Sequence, residues 1–294
     1  MLEPVDLDHS DWRVIAVNTE RRLADRCFQG RLEGSWTWLD PELVVASRGH
    51  VSLRAKPDVN SPQVTEALLG ESIEVLDEHQ GWAWVRTVHD GYLGYTQRAS
   101  LLVPVDQPLM QVTALRGHLY SHPQISAPIL DVVSFGTLLQ VVGSESVHAN
   151  GRSWWNVQYQ GQDAYVHTAV TRPVPNGTFK NLEWIQRYLG VPYVWGGRSA
   201  WGIDCSGLAG LFHGFQLPRD VDQQQAACIA VDVPQPGDLA FFPGHVGIML
   251  DTQRVLHANA THMAVSVDLL GQGEYGSQLA DDLTGFGRWK ERGE

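Results

Sequence analysis

Along the chain the spacing of apolar residues changes once, near residue 175. Before that point short stretches alternate apolar and polar residues and are cut by Gly, Pro and Asp, as in "GESIEVL" (70–76) and "WAWVRTVHDGYLGY" (82–95). A period of two predicts strands buried on one face, and the close punctuation predicts small barrels rather than long sheets. "TRPVPNG" (171–177), with two prolines and a glycine, reads as a linker. Beyond it the period lengthens. Phe179, Leu182, Ile185 and Leu189 recur at helical spacing, with Thr178 as cap and Gly190 and Pro192 as stop. Leu208, Leu211, Phe212 and Phe215 form a second stripe after Asp204, and "RDVDQQQAA" sets Asp220 and Gln223 as a capping box for a third helix. "GDLAFF", "HVGIML" and "RVLHANA" then read as strands. Helices followed by a short antiparallel sheet predict an α+β domain. Residues 1–44 are less regular and carry no functional reading; "NTERRLADRCFQG" suggests one short helix from Asn18 or Thr19.

The alternating region is duplicated. Gly70, Ile73, Trp82, Val85, Gly91 and Tyr95 recur in order as Gly136, Leu139, Trp154, Val157, Gly161 and Tyr165. Two copies of a roughly 60-residue unit make a pair of small domains rather than a solenoid, which needs more repeats.

Composition removes several functions. The 294 residues carry 21 Lys and Arg against 33 Asp and Glu, a formal net charge of −12. No basic cluster appears, which argues against nucleic acid and an anionic membrane surface as partners. No apolar run approaches the roughly 20 residues of a membrane span. The first 20 residues are acidic and lack the apolar core of a secretion signal, so the expected location is cytoplasmic. Cys27, Cys205 and Cys228 are odd in number and widely spaced, which suits free thiols and neither a disulfide framework nor a metal site. No metal or cofactor is expected.

One thiol stands apart. Cys205 would be the first residue of the helix capped by Asp204, where unsatisfied N–H groups and the helix dipole favour a thiolate and could hold an oxyanion. The bland alternative is a buried structural cysteine, the reading that suits Cys27 and Cys228. A nucleophilic thiol needs a base. Among 12 histidines, His245 opens the apolar run "HVGIML" and His257 lies inside "VLHANA". These segments should pair as a hairpin around "DTQR". The histidines share a face only if the loop has an odd residue count, and oppose each other directly only if the turn centres on Asp251.

"DCSGL", "GHVGIML" and "VLHANA", in that order and preceded by "PYVWGG", resemble the NlpC/P60 cysteine peptidases, and the duplicated unit resembles bacterial SH3-like domains. The resemblance implies a papain-like NlpC/P60 domain at 178–294, preceded by SH3-like barrels at 45–103 and 107–172. It implies Cys205 as nucleophile, His245 as base and His257 as the group orienting His245, with Tyr193 lending its hydroxyl. Asp204 and Ser206 flank the thiol on the oxyanion and substrate side, and Trp195 lines the groove wall. Two SH3-like domains ahead of this core further resemble the γ-D-glutamyl-L-diamino-acid endopeptidases that recycle cell-wall peptides. For that subgroup the expected partner is a murein tripeptide whose free L-Ala amine meets Asp220 of "PRD", Tyr92 of "DGYLGY" and an acidic residue of the first barrel, here Glu66. Val221 stands where the subgroup often has Ser. A blocked amine would leave Asp220 without a cation, which should exclude capped wall chains. Two other readings remain: a non-catalytic peptidoglycan-binding module, and a papain-like amidase or acyltransferase acting on another amide.

Overall fold

The computed structural model describes residues 11–107, 109–174 and 181–290. The first copy of the repeat forms one seven-stranded antiparallel sheet, in the order Leu101–Leu102, Glu42–Ala46, Ser72–His79, Trp82–Thr87, Leu93–Gln97, His50–Arg54, Gln63–Leu68. Its alternating Val44, Val51, Leu53, Ile73, Val75 and Val85 point inward to a core of their own. The second copy divides the same strands between a five-stranded and a three-stranded sheet around Val112, Leu119, Val133, Leu139 and Val157.

Registers equate the copies residue by residue. Tyr95 pairs Arg54 and Trp84, and Tyr165 pairs Tyr120 and Asn156. Each copy has a bulge at the same place, between Leu53 and Arg54 and between Leu119 and Tyr120. Gly70 and Gly136 donate to the carbonyls of Ala46 and Val112. A side chain at Gly70 would meet the Leu138 carbonyl at 2.0 Å, so the barrels touch backbone to backbone there.

The short helix expected from Asn18 or Thr19 does not form. Strands Val17–Asn18 and Leu23–Asp25 make a hairpin, and one 3₁₀ turn, Arg26–Phe28, follows. The reason is burial: Ala16, Leu23 and Phe28 close over Leu76, Trp84 and Leu93 of the first barrel, and tertiary packing overrides helix propensity. Of the expected linker "TRPVPNG", Thr171–Pro173 is instead a strand paired with Met110–Val112, and residues 175–177 lie outside the described residues.

The third unit has helices packed on both faces of a six-stranded antiparallel sheet. Helix α1 is a single turn, Leu182–Ile185, capped by Asn181, whose side chain accepts the Trp184 N–H at 2.8 Å. The expected cap Thr178 and Phe179 lie outside the described residues. A 3₁₀ turn, Gln186–Tyr188, then tightens the phase, so Tyr188 enters the core and Leu189 is left exposed. Helix α2 spans Cys205–Phe212 and is buried along its whole length. Its stripe ends before Phe215, which sits past the helix at φ +58°. Helix α3, Val221–Ala227, begins at the Asp220–Gln223 capping box, and α4 is Gly273–Asp282. The sheet runs Ile229–Val231, Gly285–Arg288, Leu239–Phe242, His245–Met249, Arg254–Asn259, Ala264–Leu269. Leu208, Ala209 and Phe212 of α2 pack on Val246, Ile248 and Leu256, which sets the start of α2 beside the His245 strand.

Candidate active site

Cys205 is the first residue of α2, 6 % exposed. Asp204 caps the helix through the Gly207 N–H at 2.7 Å. The backbone N–H groups of Val246 and Ser206 lie near the Cys205 sulfur. These donors and the helix dipole favour the anion, as expected, but they do not win. Burial and the neighbouring Asp204 carboxylate push the thiol up to about 12. The carboxylate that starts the helix thus opposes a charge on the sulfur. Burial thus works against the thiolate that the helix dipole favours, and at neutral pH the sulfur keeps its proton.

The histidines come together through a register different from direct opposition. Ile248 pairs Leu256 and Met249 pairs Val255, so the turn centres on Thr252 rather than Asp251. His257 then stands across from Gly247, with His245 diagonal to it on the same face. Their rings meet, His245 Nε2 to His257 Nδ1 at 2.7 Å. Gly247 gives the ring its space: a side chain there would lie 2.3 Å from Val255 Cγ2 and 3.1 Å from His257 Cβ.

Behind His257, Asp268 of the Ala264–Leu269 strand binds Nε2 at 2.9 Å and accepts the Ser266 hydroxyl at 2.6 Å. The His257 hydrogen bond outweighs burial and holds the Asp268 carboxyl down at about 2. An ionised carboxylate only accepts, which fixes the protons along the row. His257 carries its proton on Nε2 and accepts at Nδ1, so His245 donates from Nε2 and keeps its lone pair on Nδ1. Burial and the adjacent His257 lower His245 to about 3, so that lone pair is free at neutral pH.

Tyr193, Trp195, Asp204, Cys205, Ser206, Tyr92 and Asp220 share one cavity of about 580 Å³, together with Trp12 and Arg13. Its size suits a small peptide. Burial and the nearby sulfur and Asp204 push the Tyr193 phenol to about 12, so it keeps its proton to donate. Trp195 is 65 % exposed on the wall. Tyr92 belongs to the first barrel, yet its hydroxyl donates to Asp220 Oδ2 at 2.8 Å. Val221 lines the same wall, where a Ser would have offered a hydroxyl.

Three expected site residues are already engaged. Asp204 also accepts the Gly196 N–H at 2.8 Å and the buried Arg219 guanidinium at 2.6 Å. Ser206 accepts from Arg219 Nη1 at 2.7 Å. Glu66 lies outside the cavity lining; its carboxylate accepts the Arg198 N–H at 2.9 Å, and burial pushes its pKa up. Asp220 does not await a cation either: Arg13 Nη1 lies 2.8 Å from its Oδ2.

Asp268, Arg219 and Arg13 were not singled out from the sequence. For Asp268 the signal was an acid in the otherwise alternating strand "AVSVDL", two residues past Ser266, the partner of His257. Arg219 was visible only as the middle of "PRD". Arg13 has no local signal at all. Among the described residues no group of three or more His, Cys, Asp or Glu is disposed to hold a metal ion, and no helix is long and apolar enough to cross a membrane.

A cysteine at a helix start and a histidine pair on neighbouring strands of one antiparallel sheet lead to the comparison with known proteins: the chain belongs to the NlpC/P60 family, with a bacterial SH3-like region ahead of it. The family's sequence pattern matches residues 190–283, and that of the "Bacterial dipeptidyl-peptidase Sh3 domain" matches residues 53–101. The chain is 30 % identical over 261 residues to dipeptidyl-peptidase 6 of Lysinibacillus sphaericus, covering 80 % of this chain and 95 % of that one. It is 26 % identical over 235 residues to a gamma-D-glutamyl-L-lysine dipeptidyl-peptidase of Bacillus cereus, covering 69 % of each. A crystal structure of an NlpC/P60 family protein from Bacillus cereus superposes with a TM-score of 0.70 at 21 % identity, over 84 % of this chain and 99 % of that one, a likeness of fold.

Proposed function

We propose that the chain is a cysteine peptidase that hydrolyses the γ-D-Glu–diamino acid bond of small cell-wall peptides in the cytoplasm, as in peptide recycling. The observation that carries the chemistry is the row Asp268–His257–His245, which leaves a lone pair on the Nδ1 of His245, the residue next to Val246, whose backbone N–H lies near the Cys205 sulfur. As Cys205 attacks the γ-carbonyl, its proton passes to His245 Nδ1, and imidazolium charge is stabilised through His257 by Asp268. The N–H groups at the start of α2 and the Tyr193 hydroxyl are the donors at hand for the oxyanion. His245 then protonates the departing amine, and water attacking the thioester releases the dipeptide. The names of the relatives support the bond, and the cavity volume supports a peptide of this size.

The test is incubation with L-Ala-γ-D-Glu-diamino acid peptides bearing lysine or diaminopimelate. Release of the diamino acid, abolished by Cys205→Ala with the melting temperature retained, supports the reading. Undiminished release by Cys205→Ala would remove the cysteine mechanism. Binding without release in the wild type would favour a non-catalytic module.

A further inference from the structure

The row that reaches Asp268 continues one residue further. The turn 260–263, between strands Arg254–Asn259 and Ala264–Leu269, carries His262, whose Nε2 lies 3.4 Å from Asp268 Oδ1. His257 and Ser266 both bind Oδ2, so His262 meets the other oxygen of the carboxylate. An ionised carboxylate only accepts, so His262 presents a proton from Nε2. The turn aims that donor. Asn259 Oδ1 accepts the His262 N–H at 2.8 Å, and Asn259 Nδ2 donates to Ser266 Oγ at 2.8 Å, which closes a ring of hydrogen bonds through Asp268. Tyr275 of α4 packs against both imidazoles, stacked on His257 at 6.0 Å and edge-on to His262 at 5.2 Å. The Met263 carbonyl accepts the Tyr193 N–H at 2.9 Å, so the same turn joins the carboxylate to the wall that carries the phenol.

We propose that His262 is a positioning residue: by donating to Oδ1 it holds the Asp268 carboxylate in the orientation that serves His257, and so keeps His245 a ready base. The proposal rests on the cysteine mechanism above. Donors on both oxygens stop the carboxylate from turning about its Cβ–Cγ bond. With Oδ1 released to water, Oδ2 leaves the His257 N–H more often, the order of tautomers loosens, and less imidazolium charge is stabilised during attack. His262 itself lies in a turn with its side chain 43 % exposed, so its replacement removes little of the core.

The experiment follows His262→Ala, His262→Gln and His262→Glu by kcat and KM for L-Ala-γ-D-Glu-L-Lys and by the rate at which iodoacetamide alkylates Cys205, located by peptide mapping. A hydrogen bond to a charged group sets the expected loss in His262→Ala at about tenfold in kcat and in alkylation, with KM changed less than about twofold. His262→Gln, whose amide N–H can reach the same oxygen, should recover most of that loss, and His262→Glu, an acceptor facing an acceptor, should recover none. In an Asp268→Asn background His262→Ala should cost little more, because the carboxylate it holds is gone. Rates unchanged in His262→Ala and His262→Glu overturn the proposal. So do a loss that His262→Gln fails to recover, an equal loss in the Asp268→Asn background, or a KM that rises as far as kcat falls. Should His262→Ala not fold, the contrast of His262→Gln with His262→Glu decides alone. Alkylation needs no peptide substrate. If the wild type releases no lysine while alkylation follows the expected pattern, the cleavage reading sinks and the inference stands; turnover with both rates indifferent to His262 sinks the inference alone.

Discussion

Single side chains decide the chemistry here through their neighbours more than through their own identity. Cys205 sits where a helix dipole favours a thiolate, yet burial and its own cap, Asp204, hold it as a thiol. The reaction then depends on His245 being a good base, which Asp268 secures by fixing the tautomers. Asp268→Asn can donate as well as accept and so unsettles that order. Loss of properly oriented general-base assistance predicts a fall in kcat of about 10²-fold with KM little changed, measured by steady-state kinetics. An equal rise in KM would show a disturbed groove instead. The pH dependence of stability follows from the same row. Burial and the adjacent His257 hold His245 near 3 in the folded chain against 6.5 for a free imidazole, so between those values the unfolded chain binds more protons. Stability therefore falls as pH drops from about 6.5 towards 3, and Asp268, at about 2 folded, adds to the loss as pH drops below 3.8. Melting curves from pH 7 to 4 should show this decline, and His245→Asn should flatten the part above pH 4.

Strands and helices set the reach of those side chains. The hairpin of His245–Met249 with Arg254–Asn259 puts two histidines on one face by parity, and the glycine between them keeps the pairing close. Gly247→Ala would press on Val255 and on the Cβ of His257. Overpacking of this kind costs about 1–3 kcal/mol, so the melting temperature should fall together with kcat as His257 shifts from His245. Unchanged turnover would show that the ring pair tolerates displacement. At Gly196, φ +75°, a side chain would meet Gln63 Cγ at 2.9 Å and the Val64 carbonyl carbon at 3.1 Å. Glycines in "VWGGR" thus serve the approach of the first barrel as well as the turn itself.

At the scale of the whole molecule, the first barrel completes the site from outside the peptidase unit. Arg198 is 1 % exposed; its guanidinium donates to the Glu66 carbonyl at 2.6 Å and to both oxygens of Glu71, and it lies over Phe215 at 4.3 Å. The second barrel is tied in by Arg116, which donates to the Ala200 carbonyl at 2.6 Å. Arg198→Ala strands Glu71 at the joint, and breaking a buried pair costs about 3–5 kcal/mol. Calorimetry should show a lower melting temperature, and turnover should fall because Tyr92 no longer has a fixed seat over Asp220. An unaltered melt would mean that the joint is held by its apolar contacts alone.

Local pattern was enough for the duplicated barrels, the α+β unit and the capping box of α3, and it singled out Cys205, His245 and His257 as candidates, because period, caps and short motifs act between residues near in sequence. The helix expected at 18–30 and the long first helix of the peptidase unit failed where burial against another unit, or a 3₁₀ tightening, changed the local preference. Folding alone set the hairpin centre at Thr252, brought Asp268 behind His257, and lowered Arg13 onto Asp220 across 207 residues of chain. It also raised the Cys205 thiol against the pull of the helix dipole. Those outcomes depend on which groups lose water together and which carboxylates meet which cations, and that is fixed by three-dimensional proximity, on which sequence neighbours carry no information.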